Sequence, residues 1–269
     1  MRIFLEYQGF KDNTFYIVAI RYTSEALLME IRVFDTADQV GQAAAVLLAA
    51  QLLRKPDSVL GLATGSSPIP TYTRLIDLNR RGVVDFSQVT TFNLDEYVGI
   101  PEDHECSYHR FMNEQLFGHV NIRPEAVHVP DGNAPDLEES AAAYDEAIRK
   151  AGGIDVQLLG IGRNGHIGFN EPSDQFIYGC HVVSLSASTI DANKRFFASE
   201  ADVPRQAVSL GIGSIMNARQ VLLIATGSDK ADAVRRAIRE DVNPQIQASI
   251  LRTHPDALFL LDRAAAAQL

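Results

Sequence analysis

Cysteine is scarce in this chain, positive charge is outnumbered, and no apolar run approaches the length of a membrane span. Each shortage excludes something. The only two cysteines, Cys106 and Cys180, cannot build a disulfide framework, and a chain of 269 residues does not need one to bury a core. Both read as buried or half-buried thiols. The longest uninterrupted apolar stretch, Ala43 to Ala50, falls far short of the ~20 residues that cross a bilayer. Lys plus Arg number 24 against 34 Asp plus Glu, a net charge of −10, which argues against nucleic acid or an anionic membrane as partner. Any phosphate ligand must therefore be held by local groups.

The remaining composition, 46% hydrophobic and 22% charged, is that of an ordinary globular chain, and its length suits one large α/β domain. Met1 to Leu28 carry Glu6, Lys11, Asp12 and Asn13 and lack the compact apolar core of a signal peptide, so the expected location is the cytoplasm. Met29 stands directly before the first regular punctuation. Two readings of residues 1–28 stay open: a stretch ahead of the natural start at Met29, or an accessory strand or arm. Residues 29–269 then form the single domain.

From Ile31 onward short apolar runs alternate with helix-period stretches, the pattern of βαβ units. Strands are expected at Ile31–Phe34, Val59–Ala63, Val89–Phe92, Ile154–Ile161, Val182–Leu185, Val208–Leu210, Val221–Ala225 and Ala257–Leu261. Helices are expected at Ala37–Leu53, Pro68–Arg81, Tyr108–Leu116, Leu137–Lys150 and Lys230–Glu240, with a short piece near Ser249–Arg252. Thr36 and Asp136 supply caps. The fold class this predicts is α/β, an open, doubly wound, mostly parallel (Rossmann-like) sheet whose ligands bind at the carboxyl ends of the strands.

Several segments at those ends could carry chemistry. Thr64-Gly65-Ser66-Ser67-Pro68 is a short hydroxyl-rich turn opening a helix, suited to a phosphate, although the spacing and lysine of a P-loop are missing. An echo of it, Ala225-Thr-Gly-Ser-Asp229, is followed by Lys230, a cation that taken alone reads as a solvated charge. Gly160-Ile-Gly162-Arg-Asn-Gly165 matches a dinucleotide fingerprint literally, but the required helix cannot start in His166-Ile-Gly-Phe-Asn-Glu171-Pro, so NAD is rejected. What remains is a glycine-rich loop presenting Asn164, His166, Asn170 and Glu171. Phe92-Asn-Leu-Asp95-Glu96-Tyr-Val-Gly99 brings paired carboxylates to the same edge, one of them fit to be a general base. His104 and His109 lie five apart, ~140° around a helix, which is wrong for a zinc pair. No metal is expected.

The two segments around Asp95 and around His166–Glu171, in this order, resemble the glucosamine-6-phosphate deaminase family. The resemblance runs from Glu30 to about Asp262 and includes Asn193-Lys-Arg195-Phe-Phe197. It implies an enzyme that converts glucosamine 6-phosphate into fructose 6-phosphate and ammonia, in amino-sugar catabolism. Asp95 would be the base at C2, His166 the proton carrier for ring opening, and Glu171 its orienting partner. Thr64, Gly65, Ser66 and Ser67 would hold the phosphate with Arg195 and Lys230. The partner implied is a small sugar phosphate, with no metal or organic cofactor required, and a homo-oligomer stays possible. Closure of a lid between Phe176 and Val203 is a further expectation. Many members have aspartate where this chain has Asn164, which is expected to orient His166 without carrying charge. Some members are activated by the N-acetylated sugar phosphate through basic residues that Tyr178–Val183 lacks, so little activation is expected. Two alternatives share the architecture: a 6-phosphogluconolactonase-like hydrolase, for which the Asp95 loop would be idle, and a non-catalytic sugar-phosphate-binding regulator domain.

Overall fold

The computed structural model describes residues 3–8, 16–22 and 29–269. In chain order the elements are β1 (Ile3–Gln8), β2 (Tyr16–Tyr22), β3 (Glu30–Phe34), α1 (Ala37–Arg54), β4 (Val59–Leu62), α2 (Ile69–Arg80), β5 (Thr90–Asn93), β6 (Asp95–Tyr97), α3 (Tyr108–Gln115), β7 (Val127–His128) and α4 (Leu137–Lys150). They continue with β8 (Val156–Leu159), β9 (His181–Ser184), α5 (Ala187–Asn193), β10 (Gln206–Ser209), α6 (Ile212–Met216), β11 (Gln220–Ala225), α7 (Ala231–Arg239) and β12 (Ala257–Asp262). Seven strands form a parallel sheet in the order β3-β12-β11-β8-β4-β5-β7. The expectation for residues 1–28 lies partly outside the described residues; of those described, β1 and β2 pair antiparallel and β2 continues the sheet beyond β3.

The central strands read as continuous apolar runs because helices cover both faces. Every residue of β4, β8 and β12 is buried. On one face α1, α2 and α3 pack Leu48, Leu52, Tyr72, Leu75 and Met112 against Leu60, Leu62, Leu158 and Ile224. On the other, α4, α6 and α7 bring Ile148, Ile215, Val234 and Ile238 to Val59, Leu159, Leu223 and Phe259. Each fully buried aliphatic of this kind contributes roughly 1.5–3 kcal/mol by leaving water. The expected caps form: Thr36 and Gln39 close a capping box on α1, and Asp136 accepts from Glu139 N at 2.9 Å on α4.

Two expected strands belong elsewhere. Val182–Leu185 and Val208–Leu210 correspond to β9 and β10, which join β6 in a separate antiparallel sheet of order β6-β10-β9. Periodicity distinguishes a strand from a helix but not one sheet from another. The sheets are hinged at Leu94: its N–H donates to Leu62 O at 3.0 Å in the large sheet, and its carbonyl accepts from Leu210 N at 2.8 Å beside the small one. Helix α5 packs Ile190 with Leu185, Tyr97 and Phe169 in a small core of their own. A cavity of about 510 Å³ lies where the small sheet and α5 meet the carboxyl ends of β4, β5, β8 and β11.

Candidate active site

Asp95 sits immediately after the hinge residue, opposite Ser209 in the small sheet. Only 6% exposed, it still lines the cavity. Burial disfavours its charged form, and the neighbouring Glu96 carboxylate adds repulsion; together they push its pKa up to about 8. The paired carboxylates part company here. Glu96 does not line the cavity: it accepts from the N–H of Tyr97 at 2.8 Å, of Tyr108 at 2.8 Å and of His109 at 3.1 Å, and meets the His109 ring at 3.1 Å. It therefore satisfies the open N–H groups of the α3 N-terminus and acts on Asp95 only as a fixed charge.

The glycine-rich loop after β8 presents His166 and Glu171. No helix follows this loop; Gly162 N–H donates to His166 O at 2.9 Å and Gly165 N–H to Gly162 O at 3.0 Å. A Cβ on Gly162 would fall inside the His166 imidazole, so the ring lies flat where only glycine leaves room. His166 Nδ1 stands 3.5 Å from Glu171 Oε2 and 3.5 Å from Thr189 Oγ1. Burial alone would raise Glu171; the His166 ring, Thr189 and Asn164 outweigh it and hold the carboxyl at about 2.

Asn164 bonds both to His166 and to the carboxylate behind it. Its amide donates to Glu171 Oε2 at 2.7 Å, while its carbonyl oxygen accepts from the main-chain N–H of His166 at 3.2 Å. It reaches the imidazole only through Glu171 and the backbone. An amide two residues before a histidine bends back to that residue's N–H, an ordinary Asx arrangement in a tight turn.

At the other end of the cavity the Thr64–Ser67 turn leads into α2, with Gly65 at φ +90°, a conformation that favours glycine. Lys230, only 21% exposed at its side chain, comes from the turn before α7; burial lowers its pKa, and Arg163 and Arg195 repel its charge while Asp229 attracts it. Arg195 also lines the cavity, on a short 3-10 turn after α5, with its guanidinium 4.6 Å above the Phe196 ring. The ten residues expected to act on the substrate, Asn164, Glu171 and the phosphate-turn residues included, thus gather around one cavity, nine lining it and Glu171 directly behind His166, whereas the Asn170 amide is spent on Ile167 O and Leu210 O.

Chain 34–259 matches the family described as glucosamine-6-phosphate isomerases/6-phosphogluconolactonase. The chain belongs to this family. It is 50% identical over 241 residues to a glucosamine-6-phosphate deaminase of Clostridioides difficile, covering 90% of this chain and 97% of that one. A second such deaminase, of Alkaliphilus oremlandii, is 47% identical across its full length and 90% of this chain. A solved monomeric glucosamine-6-phosphate deaminase superposes with a TM-score of 0.88 at 42% identity, over 90% of this chain and all of that one. The 6-phosphogluconolactonase of Trypanosoma cruzi superposes at 0.72 with 19% identity, over 92% of this chain and 99% of its own, which is likeness of fold alone.

Within this isomerase and lactonase family fold, several cavity residues were given no role by the sequence reading, Tyr97, Tyr108, Phe169 and Thr189 among them. Tyr108 stacks on Phe169 and places its hydroxyl 3.3 Å from that of Tyr97 and in hydrogen-bond contact with Thr64. Thr189 meets His166. Tyr97 and Tyr108 stand among polar and charged neighbours, Asp95-Glu96 and Ser107-His109, with nothing in the spacing to aim their rings at the site, and only the Ser186 cap, accepting from Thr189 N at 3.2 Å, could have signalled a helix delivering Thr189. His104 and His109 bind elsewhere, against Phe197 and Glu96. Among the described residues no three His, Cys, Asp or Glu side chains form a metal-binding group, and no helix is long and apolar enough to cross a membrane.

Proposed function

We propose that this cavity converts glucosamine 6-phosphate and water into fructose 6-phosphate and ammonia, with Asp95 as the base. The observation that carries the reading is a buried carboxylate with its pKa near 8 in the same cavity as a histidine backed by a permanently ionised glutamate. A carbon acid next to the aldehyde of an opened sugar needs a base of raised proton affinity. A phosphate needs backbone N–H groups and cations, which the Thr64–Ser67 turn, Lys230 and Arg195 supply.

In this account the phosphate end is anchored and His166 moves the anomeric proton to the ring oxygen, opening the sugar. Glu171, charged throughout the physiological range, stabilises the imidazolium formed in transit. Asp95 then removes the C2 proton, giving an enolamine that is reprotonated at C1. The resulting C2 imine takes up water and releases ammonia, leaving the ketone. Only protons and water move, so the steps ask for no cofactor. All the named groups belong to one copy of the chain, and the chemistry asks for no second. Residence in the cytoplasm, where sugar phosphates are kept, is part of the same reading.

The test supplies purified protein separately with glucosamine 6-phosphate and with 6-phosphogluconolactone. Stoichiometric ammonia and fructose 6-phosphate from the first supports the proposal; hydrolysis of the lactone without ammonia from the amino sugar contradicts it.

A further inference from the structure

One anion stands among the cations of the phosphate end. Asp229 Oδ2 lies 3.0 Å from Arg163 Nε and 4.0 Å from Lys230 Nζ, and all three residues line the cavity with Arg195. Arg163 comes from the glycine-rich loop that carries His166, and Asp229 from the turn between β11 and α7, so the pair ties two edges of the cavity mouth. Both are roughly half exposed, 55% and 44% at their side chains, and neither has the packing of a structural ion pair. Of the charged groups acting on Lys230, Asp229 alone attracts it, while Arg163 and Arg195 repel it.

We propose that Asp229 is an internal counter-anion that competes with the substrate's phosphate for Lys230 and Arg163, and that Arg163 is a further phosphate-recognising residue. This rests on the reading of the cavity as a sugar-phosphate site. A carboxylate oxygen occupies the flank of two cations that a phosphate dianion would use. When the dianion enters, Arg163 exchanges a single-charged partner for a double-charged one, and the exposed Asp229 side chain turns to water. The competition loosens substrate and product alike, which suits an enzyme whose substrate and product carry the same phosphate. Were the pair only a tie between loops, removing Asp229 would loosen the site and weaken anion binding. The proposal requires the opposite sign.

The experiment measures inorganic phosphate affinity by calorimetry, and the KM for glucosamine 6-phosphate, in the parent, D229N, D229S, R163Q and K230Q. D229N and D229S are expected to bind phosphate about three- to ten-fold more tightly at low salt, with a matching fall in KM and an advantage that shrinks as salt rises. R163Q is expected to bind several-fold more weakly, and K230Q more weakly still. Equal or weaker phosphate affinity in both folded Asp229 variants, or parent-like affinity in K230Q, overturns the proposal. Absence of ammonia release by a parent that binds phosphate overturns the assigned reaction instead, and the phosphate arm still decides the role of Asp229.

Discussion

The His166 imidazole rests on the bare backbone of Gly162, in space that any side chain at 162 would fill. G162A is therefore a lever on the ring with little else in its way. The added methyl must push the imidazole from Glu171 and Thr189, each 3.5 Å from Nδ1. Activity should fall by at least ~10²-fold, the usual worth of a positioned acid-base group, while thermal unfolding shifts by only a few degrees. Steady-state rates alongside a melting curve check this.

Glu171 ties the site to acid stability. Its folded-state pKa of about 2 lies below the ordinary 4.5, so it contributes stability that is complete above pH 4.5 and is lost as pH falls through 2. In E171Q the unfolding free energy should vary less between those limits, by on the order of 2–3 kcal/mol. Denaturant titrations at pH 6 and pH 3 measure the difference. The same variant should lose ~10²-fold or more in kcat, because a neutral amide cannot stabilise an imidazolium.

Replacing Asn164 by aspartate sets two carboxylates at the 2.7 Å separation now bridged by an N–H donor. Both cannot stay ionised at that distance, so one takes up a proton near neutrality. N164D should retain activity with a new ionisation in its kcat/KM profile between about pH 5 and 7, and a profile parallel to the parent's would contradict the contact.

The N-acetylated substrate analogue should leave the rate unchanged within about two-fold. Between Tyr178 and Val183 the chain offers no lysine or arginine, and Cys180 N–H is held by Asp145 at 2.6 Å. Initial rates with and without N-acetylglucosamine 6-phosphate decide it; a several-fold rise contradicts the prediction.

Most of the parallel sheet was legible because strands buried on both faces leave unbroken apolar runs, as in Val221–Ala225 and Ala257–Leu261. The small sheet was legible only in part: β9 and β10 were expected as strands but not as a sheet of their own, and β6 is only Asp-Glu-Tyr, too short and too polar to read as a strand. Asp95, His166 and Glu171 stood out because carboxylates and imidazole clustered beside glycines have no packing purpose. Glu96 looked equivalent to Asp95 in sequence; only the fold turns it toward the α3 N-terminus. That Asn164 reaches Glu171 as well as His166 was not legible, as a turn decides which way a short amide points. Arg163 and Asp229 are surface-type residues 66 positions apart, and no periodicity could have paired them.

The central claim is that Asp95 takes the C2 proton, and its most direct test is the pH dependence of kcat/KM for ammonia release in the parent beside D95N. A base must be ionised, so the parent's rate should climb with pH through a limb near 8, where burial and Glu96 place this carboxyl. D95N should lose well over ~10²-fold and show no such limb. Because the raised pKa favours the protonated fold, stability from this group is lost as pH rises from 3.8 through 8, and D95N should match or exceed the parent's stability at pH 9. A folded D95N that releases ammonia within ten-fold of the parent, with the same pH limb, would contradict the account.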